Sequence, residues 1–389
     1  MKYNFDEIIP RRGTGCVKWD HDADPEMLPL WVADMDFRAA TPILQAMQRR
    51  LDHGIFGYVQ VPDSYYQAVI QWFARRHNWN IQREHMLYTI GVVPAIAAIL
   101  QALTISGDGV IMQTPVYNCF YSCLRNAGNV LVDNPLVRRN NHYEIDFTDF
   151  EQKIIDHKPK IFLLCNPHNP VGRVWTPGEL TRLGDICLRH GVFVISDEIH
   201  NEIVMPGFRY TPFASLSDKF AQNSAVCISA SKSFNIAGLQ LADIVVPDSH
   251  RRALIDKQIN INETCDVNPF GVVAHEAAYS AEGEEWLRQL MSYIHGNYQF
   301  LCKFISENMP QIQVTKLEGT YLAWIDCSSL GYTSDQLEQL LRQKAHVMYS
   351  AGHIYNPTEI PFLRINLACP KTVLEQSLQK FCTFFEENG

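Results

Sequence analysis

The chain has 389 residues, 47% of them hydrophobic and 19% charged. That is enough apolar material for a large buried core, and it excludes a disordered chain. With 33 Lys and Arg against 42 Asp and Glu, the formal charge of −9 speaks against a nucleic-acid role resting on a general positive field.

The N-terminal stretch MKYNFDEIIPRRGTG lacks the apolar centre of a secretory signal. No later stretch nears the ~18 uninterrupted apolar residues of a membrane span. The 11 cysteines show no C-x-x-C spacing and read as mostly inert thiols of a reducing cytoplasm. The 14 histidines do not combine with cysteines at zinc spacing and there is no H-E-x-x-H, so no metal site is expected. The Arg-Arg pairs at 11–12, 49–50, 75–76, 138–139 and 251–252 read as solvated surface.

From about residue 85 to 247, short apolar strands alternate with helical patterns. The expected strands are His85–Ile90, Val110–Gln113, Val130–Asp133, Ile161–Cys165, Val192–Ser196, Val226–Ser229 and Asp243–Val246. This spacing predicts an α/β fold whose large domain holds a mostly parallel seven-stranded sheet flanked by helices. Functional residues then belong at the carboxyl ends of the strands. After about residue 285 a long helical stretch, the strand-like TYLAWID and PFLRINLA, and a closing helix predict a smaller α+β domain. Residues 1–45 are expected to join 285–389 in that domain, leaving 46–284 as the large one.

Three polar clusters fall at expected strand ends: NPHNPVG (166–172), SDEIH (196–200) and SASKSFN (229–235). Taken singly they are bland. An acid after a strand is commonly a cap, and a lysine there commonly snorkels to the surface. Arg364, in FLRINLA, is flanked by apolar residues, and a guanidinium in such a strand wants a bidentate carboxylate, either a ligand's or a protein acid's. Gly91-Val92-Val93 follows a strand and opens an apolar helical run, so its backbone N–H groups make an anion site.

Together the three clusters resemble the NPxNPTG, D-x-x-Y/H and S-x-S-K-x-F-N elements of the fold type I pyridoxal-phosphate enzymes, the aspartate aminotransferase superfamily. WVADMDF (31–37), HGIFGY (53–58), TPVYNCF (114–120), SDEIHNEIV (196–204), GTYLAWID (319–326) and RINLACP (364–370) look like the MalY/PatB subgroup of cystathionine β-lyases and cysteine-S-conjugate β-lyases. The resemblance runs from about residue 11 to 370.

It implies pyridoxal 5'-phosphate, with Lys232 as the amine that joins the cofactor aldehyde and later serves as general base. Asp197 faces the ring nitrogen, Asn169 the ring 3-oxygen, and Tyr117 stacks on the ring. His200 supports that region, although a histidine on a helix face is an open reading. The phosphate falls to Ser229, Ser231, the turn at Gly91, Val92 and Val93, and Tyr58. Tyr58, counted with Lys232 and Asp197 as catalytic, reaches across from the other subunit of a homodimer. Arg364 holds the carboxylate of an amino-acid substrate.

Two positions depart from the superfamily pattern. Gln240 stands where many aminotransferases carry a phosphate-binding arginine, which fits the lyase subgroup. Val171 replaces the usual Thr, a change without a functional account. The activity implied is β-elimination from L-cystathionine or related cysteine S-conjugates, giving a thiol, pyruvate and ammonia. The alternatives are an aminotransferase, or a second role as the regulatory partner of a transcription activator. No nucleic acid or membrane is expected as a partner.

Overall fold

Seven runs of aliphatic and β-branched residues form the central sheet: β1 Met86–Thr89, β2 Gly109–Thr114, β3 Val130–Pro135, β4 Ile161–Cys165, β5 Phe193–Asp197, β6 Ser224–Ile228 and β7 Ala242–Val245. The computed structural model describes residues 3–356, 358 and 360–388. Strand order is β1-β7-β6-β5-β4-β2-β3. β7 runs antiparallel to both its neighbours, and the remaining pairs are parallel. All seven expected strands are present, Ile161–Cys165 with the expected ends and the others with ends displaced by no more than two residues.

The sheet is apolar on both faces because helices cover both. Val110, Met112, Leu163 and Ile195 pack with Ile96, Ile99 and Leu100 of α1 (Val92–Leu103). Their strand neighbours Ile111, Phe162, Leu164 and Val194 point the other way, among Leu180, Leu183 and Ile186 of the helix Pro177–His190. Each of these side chains contributes roughly 1.5–3 kcal/mol through burial. In register, Asp197 lies between Cys165 and Cys227, so the acid sits mid-sheet at the carboxyl end.

A four-stranded antiparallel sheet follows: β8 Gln313–Val314, β9 Leu322–Asp326, β10 Ser350–Ala351 and β11 Phe362–Asn366, in the order β8-β9-β11-β10. It is framed by the helices Ala281–Asn308 and Lys371–Asn388. The N-terminal residues join this part: Leu28 pairs with Val347, and Phe5 meets Trp286 with ring centroids 5.9 Å apart. Divides at 45/46 and 284/285 pass through the helices Thr41–His53 and Ala281–Asn308; residues 1 and 389 lie outside the described set. Among the described residues no helix is long and apolar enough to cross a membrane.

The reading of the Arg-Arg pairs as solvated surface is corrected at several positions. Arg11 pairs with Asp34 and Asp36, Arg76 with the buried Glu202, and Arg138 with Asp326. Arg12 donates to the carbonyls of Trp19 and Met27. Local acids and unpaired carbonyls take up the guanidinium donors and draw these side chains inward.

Candidate active site

The carboxyl ends of β1, β4, β5 and β6 surround a cavity of about 190 Å³, lined by Gly91–Pro94, Tyr117, Asn169, Asp197, His200, Ser231 and Lys232 among others. Its floor is anionic. Asp197 ends β5 and is 4% exposed; its Oδ1 accepts the Ile199 N–H at 3.1 Å. Burial pushes its carboxyl up from 3.8 to about 7, while the Ile199 N–H and the charge of Lys232 pull the other way. His200 is buried in a turn beside it, with Nδ1 lacking a hydrogen bond. Burial, then the charges of Lys232 and Arg364, lower its imidazole to about 3, so it is neutral. The helix-face reading of His200 does not hold.

Lys232 lies in the turn after β6, and its Nζ donates to the Ala33 carbonyl at 2.6 Å. Burial lowers its ammonium from 10.5 to about 8, with Asp34 the strongest opposing influence. An amine with that value is unprotonated in a useful fraction of molecules near neutral pH, as a nucleophile or base requires.

At the opposite wall, α1 begins at Gly91, whose φ of 150° favours glycine. No side chain caps this end. Pro94, the third residue of α1, has no N–H to offer. The amides of Val92 and Val93 therefore remain for an anion, aided by the helix dipole. Ser231 adds a hydroxyl to the same cavity.

Ser229 follows the end of β6 and is not among the residues lining the cavity. Its hydroxyl donates to the Leu241 carbonyl at 2.7 Å and accepts the Ser231 N–H at 3.1 Å, which shapes the lysine turn. Tyr58 is not brought to the cavity within one chain; it is 98% exposed, near Leu51, Ile55 and Phe56, which are also exposed. Gln240 is exposed as well, with φ 52°.

Arg364 sits on β11 opposite Trp324 and Ser350. It donates to Asn169 Oδ1 at 3.1 Å and to the Trp31 carbonyl at 2.8 Å, its Nε has no partner, and its guanidinium lies 4.8 Å from the Tyr355 ring centroid. Arg364 is 4% exposed, yet no acid among the described residues pairs with it. The reading as an internal ion pair fails, and a carboxylate-sized demand is left open.

Several lining residues carried no signal of their own: Ala33, Cys165, Ile199 and Ala237. Asn235 was visible only as part of a motif. It adopts φ 57° and clamps the Met35 and Phe37 backbone with three hydrogen bonds. Of the aromatics near the entrance, Tyr321 donates to Ala33 O at 2.9 Å and Trp324 belongs to the core. His353 is exposed, and the segment 349–357 ends at Pro357, outside the described residues.

A primary amine, a buried acid, a ring-sized space beside Tyr117 and an amide-lined anion end fit a phosphorylated pyridine aldehyde. The orphaned His200 Nδ1 and the glycine at the helix start are accounted for by such a ligand.

Residues 25–381 match the family model of aminotransferase class I and II. The chain is 42% identical over 381 residues to cystathionine beta-lyase PatB of Bacillus subtilis, covering 97% of this chain and 98% of that one. It is 31% identical to protein MalY of Escherichia coli, with 97% of each covered. Among solved structures, cystalysin from Treponema denticola, which contains pyridoxal 5'-phosphate, superposes with a TM-score of 0.97 at 33% identity, covering 100% of both chains.

Proposed function

The chain belongs to the aminotransferase class I and II family, and from that premise we propose that it is a pyridoxal-phosphate-dependent carbon–sulfur β-lyase acting on L-cystathionine or related cysteine S-conjugates. The observation that carries this reading is the buried Arg364, which no acid among the described residues pairs with and which bonds Asn169 in the wall of the cavity that holds Lys232 and Asp197, in a chain 42% identical to a cystathionine β-lyase.

Bound pyridoxal 5'-phosphate supplies an aldehyde for the substrate amine and a ring that accepts the electron pair left at the α-carbon. The chain supplies the rest. Val92, Val93 and Ser231 hold the phosphate, Tyr117 covers the ring, and Asn169 and His200 bind its polar edge. Asp197 keeps the ring nitrogen protonated. Arg364 fixes the substrate carboxylate and thereby the direction of the α-hydrogen. Lys232 Nζ removes that proton. The β-sulfur leaves as a thiolate, and the unsaturated amine left behind hydrolyses to pyruvate and ammonia.

The assembly we infer is a homodimer. The exposed run Leu51, Ile55, Phe56 and Tyr58 is the surface a second copy would cover, bringing Tyr58 to the phosphate. Free thiols at all 11 cysteines fit the cytoplasm. A small domain of residues 1–45 and 285–389 set against 46–284 is our reading of how the site is divided.

The deciding experiment supplies L-cystathionine without any keto acid. Pyruvate is expected to form together with homocysteine. Keto-acid-dependent amino transfer without pyruvate would instead make the protein an aminotransferase.

The sign of the pH dependence follows from Lys232. Its amine must be neutral to take a proton, and burial places it at about 8. Log kcat for pyruvate release is expected to climb with pH and to level above about 8. A rate that falls across that interval would remove Lys232 as the base.

A further inference from the structure

The strap 31–37 lines the cavity at Ala33, and side chains claim nearly all its carbonyls. Arg364 and Ser350 bond the Trp31 carbonyl, Asn366 those of Val32 and Asp34, and Lys232 and Tyr321 that of Ala33. Arg11 and Asn235 bond the Met35 carbonyl, and Asn235 that of Phe37. Backbone so completely bound has one position to occupy.

Beneath the strap lies a four-charge set. Lys18, 1% exposed, places Nζ 2.7 Å from Asp36 and 3.7 Å from Asp34. Arg11 reaches both acids, at 2.7 and 2.5 Å. Trp19 Nε1 donates to Asp36 at 2.8 Å. Asp36 is thus fully engaged. Asp34 is not: its Oδ2 takes Arg11, while its Oδ1 is buried with no hydrogen bond. Asp34 directly follows the residue whose carbonyl holds Lys232.

We propose that Asp34 is a positioning residue for Lys232: its carboxylate, anchored by Arg11 and Lys18, holds in place the adjoining Ala33 carbonyl on which the free amine rests. The proposal rests on the reading of Lys232 as the cofactor lysine. Of the charged groups facing Lys232, which are Asp34, Arg364, Asp197 and Cys119, Asp34 exerts the largest influence. Asp34 in turn faces Arg11, Lys18, Lys232 and the Tyr321 hydroxyl. Loss of its charge leaves Arg364 less opposed at Lys232.

The test uses the full chain stripped of cofactor. Trinitrobenzenesulfonate labelling of Lys232 is followed by mass spectrometry as a function of pH, beside kcat profiles of the loaded enzyme. In Asp34→Asn the labelling midpoint is expected about 1 unit below wild type, and Asp34→Glu is expected to restore it. General loosening of the strap would hydrate the amine and move the midpoint upward instead, so an unchanged or raised midpoint overturns the proposal. Should D34N fail to fold, the same titration on Asp34→Ser decides: the midpoint is expected below wild type, and an unchanged or raised midpoint overturns the proposal. Absence of pyruvate with a lowered D34N midpoint would count against the lyase reading alone. Pyruvate formation with an unmoved midpoint would count against Asp34 alone.

Discussion

Replacing Lys232 with alanine is expected to lower pyruvate release by about 10⁴-fold, the upper end of what a positioned general base contributes. The change removes both the amine that anchors the cofactor and the group that takes the α-proton. It removes little structure, because among the described residues the Lys232 ammonium bonds only the Ala33 carbonyl, which keeps Tyr321 as a donor. The melting temperature should therefore hold. Borohydride reduction followed by peptide mapping checks the chemistry apart from the rate. Wild type should carry reduced cofactor on the Lys232 peptide and K232A none. Cofactor found covalently on another lysine, or activity within tenfold of wild type, would displace Lys232 from its role.

Substitution of Arg364 by glutamine should act on substrate binding. A buried guanidinium pairing with a carboxylate contributes about 2–5 kcal/mol when one partner is cut away, so KM is expected to rise about 10²- to 10³-fold. Cofactor retention should be untouched. The control is a cysteamine S-conjugate, which lacks the carboxylate: wild type and R364Q should process it alike. Equal losses on both substrates would mean that Arg364 only shapes the wall formed with Asn169 and Trp31. Stability should not fall, since the guanidinium is buried without an acid partner and a buried unpaired charge is costly to the fold.

The central sheet was legible because parallel strands buried on both faces are written as short aliphatic runs such as IFLLC at 161–165. The lysine and the acid were legible through the order of three motifs that resemble those of the pyridoxal-phosphate enzymes, each being bland alone, and Arg364 also because charge in an apolar strand demands a partner. Ser229, three residues before Lys232, was legible as an anion donor, but not its hydrogen bond to the Leu241 carbonyl, which only the fold brings within reach. The strap hid itself more thoroughly. Its working parts are backbone carbonyls, and residue type does not record which carbonyl meets which donor. Arg11 looked like a surface charge because its acid partners, 23 and 25 positions away, are met only after folding. Tyr58 stayed undecided since a single chain leaves it in solvent.

The donors that grip residues 31–37 come from positions 11, 18, 232, 235, 321, 350, 364 and 366. Contacts that span more than 300 residues carry a larger loop-closure entropy than strand pairs formed between neighbours, and they form late. During synthesis the sheet of residues 86–245 has all its strands before β11 leaves the ribosome. The N-terminal strap, although translated first, waits for Asn366 to be made before its last carbonyls are bound. An unfinished or C-terminally clipped chain thus holds the sheet and its lysine but not the closed site, so the C-terminal strand completes what the N-terminal strap begins.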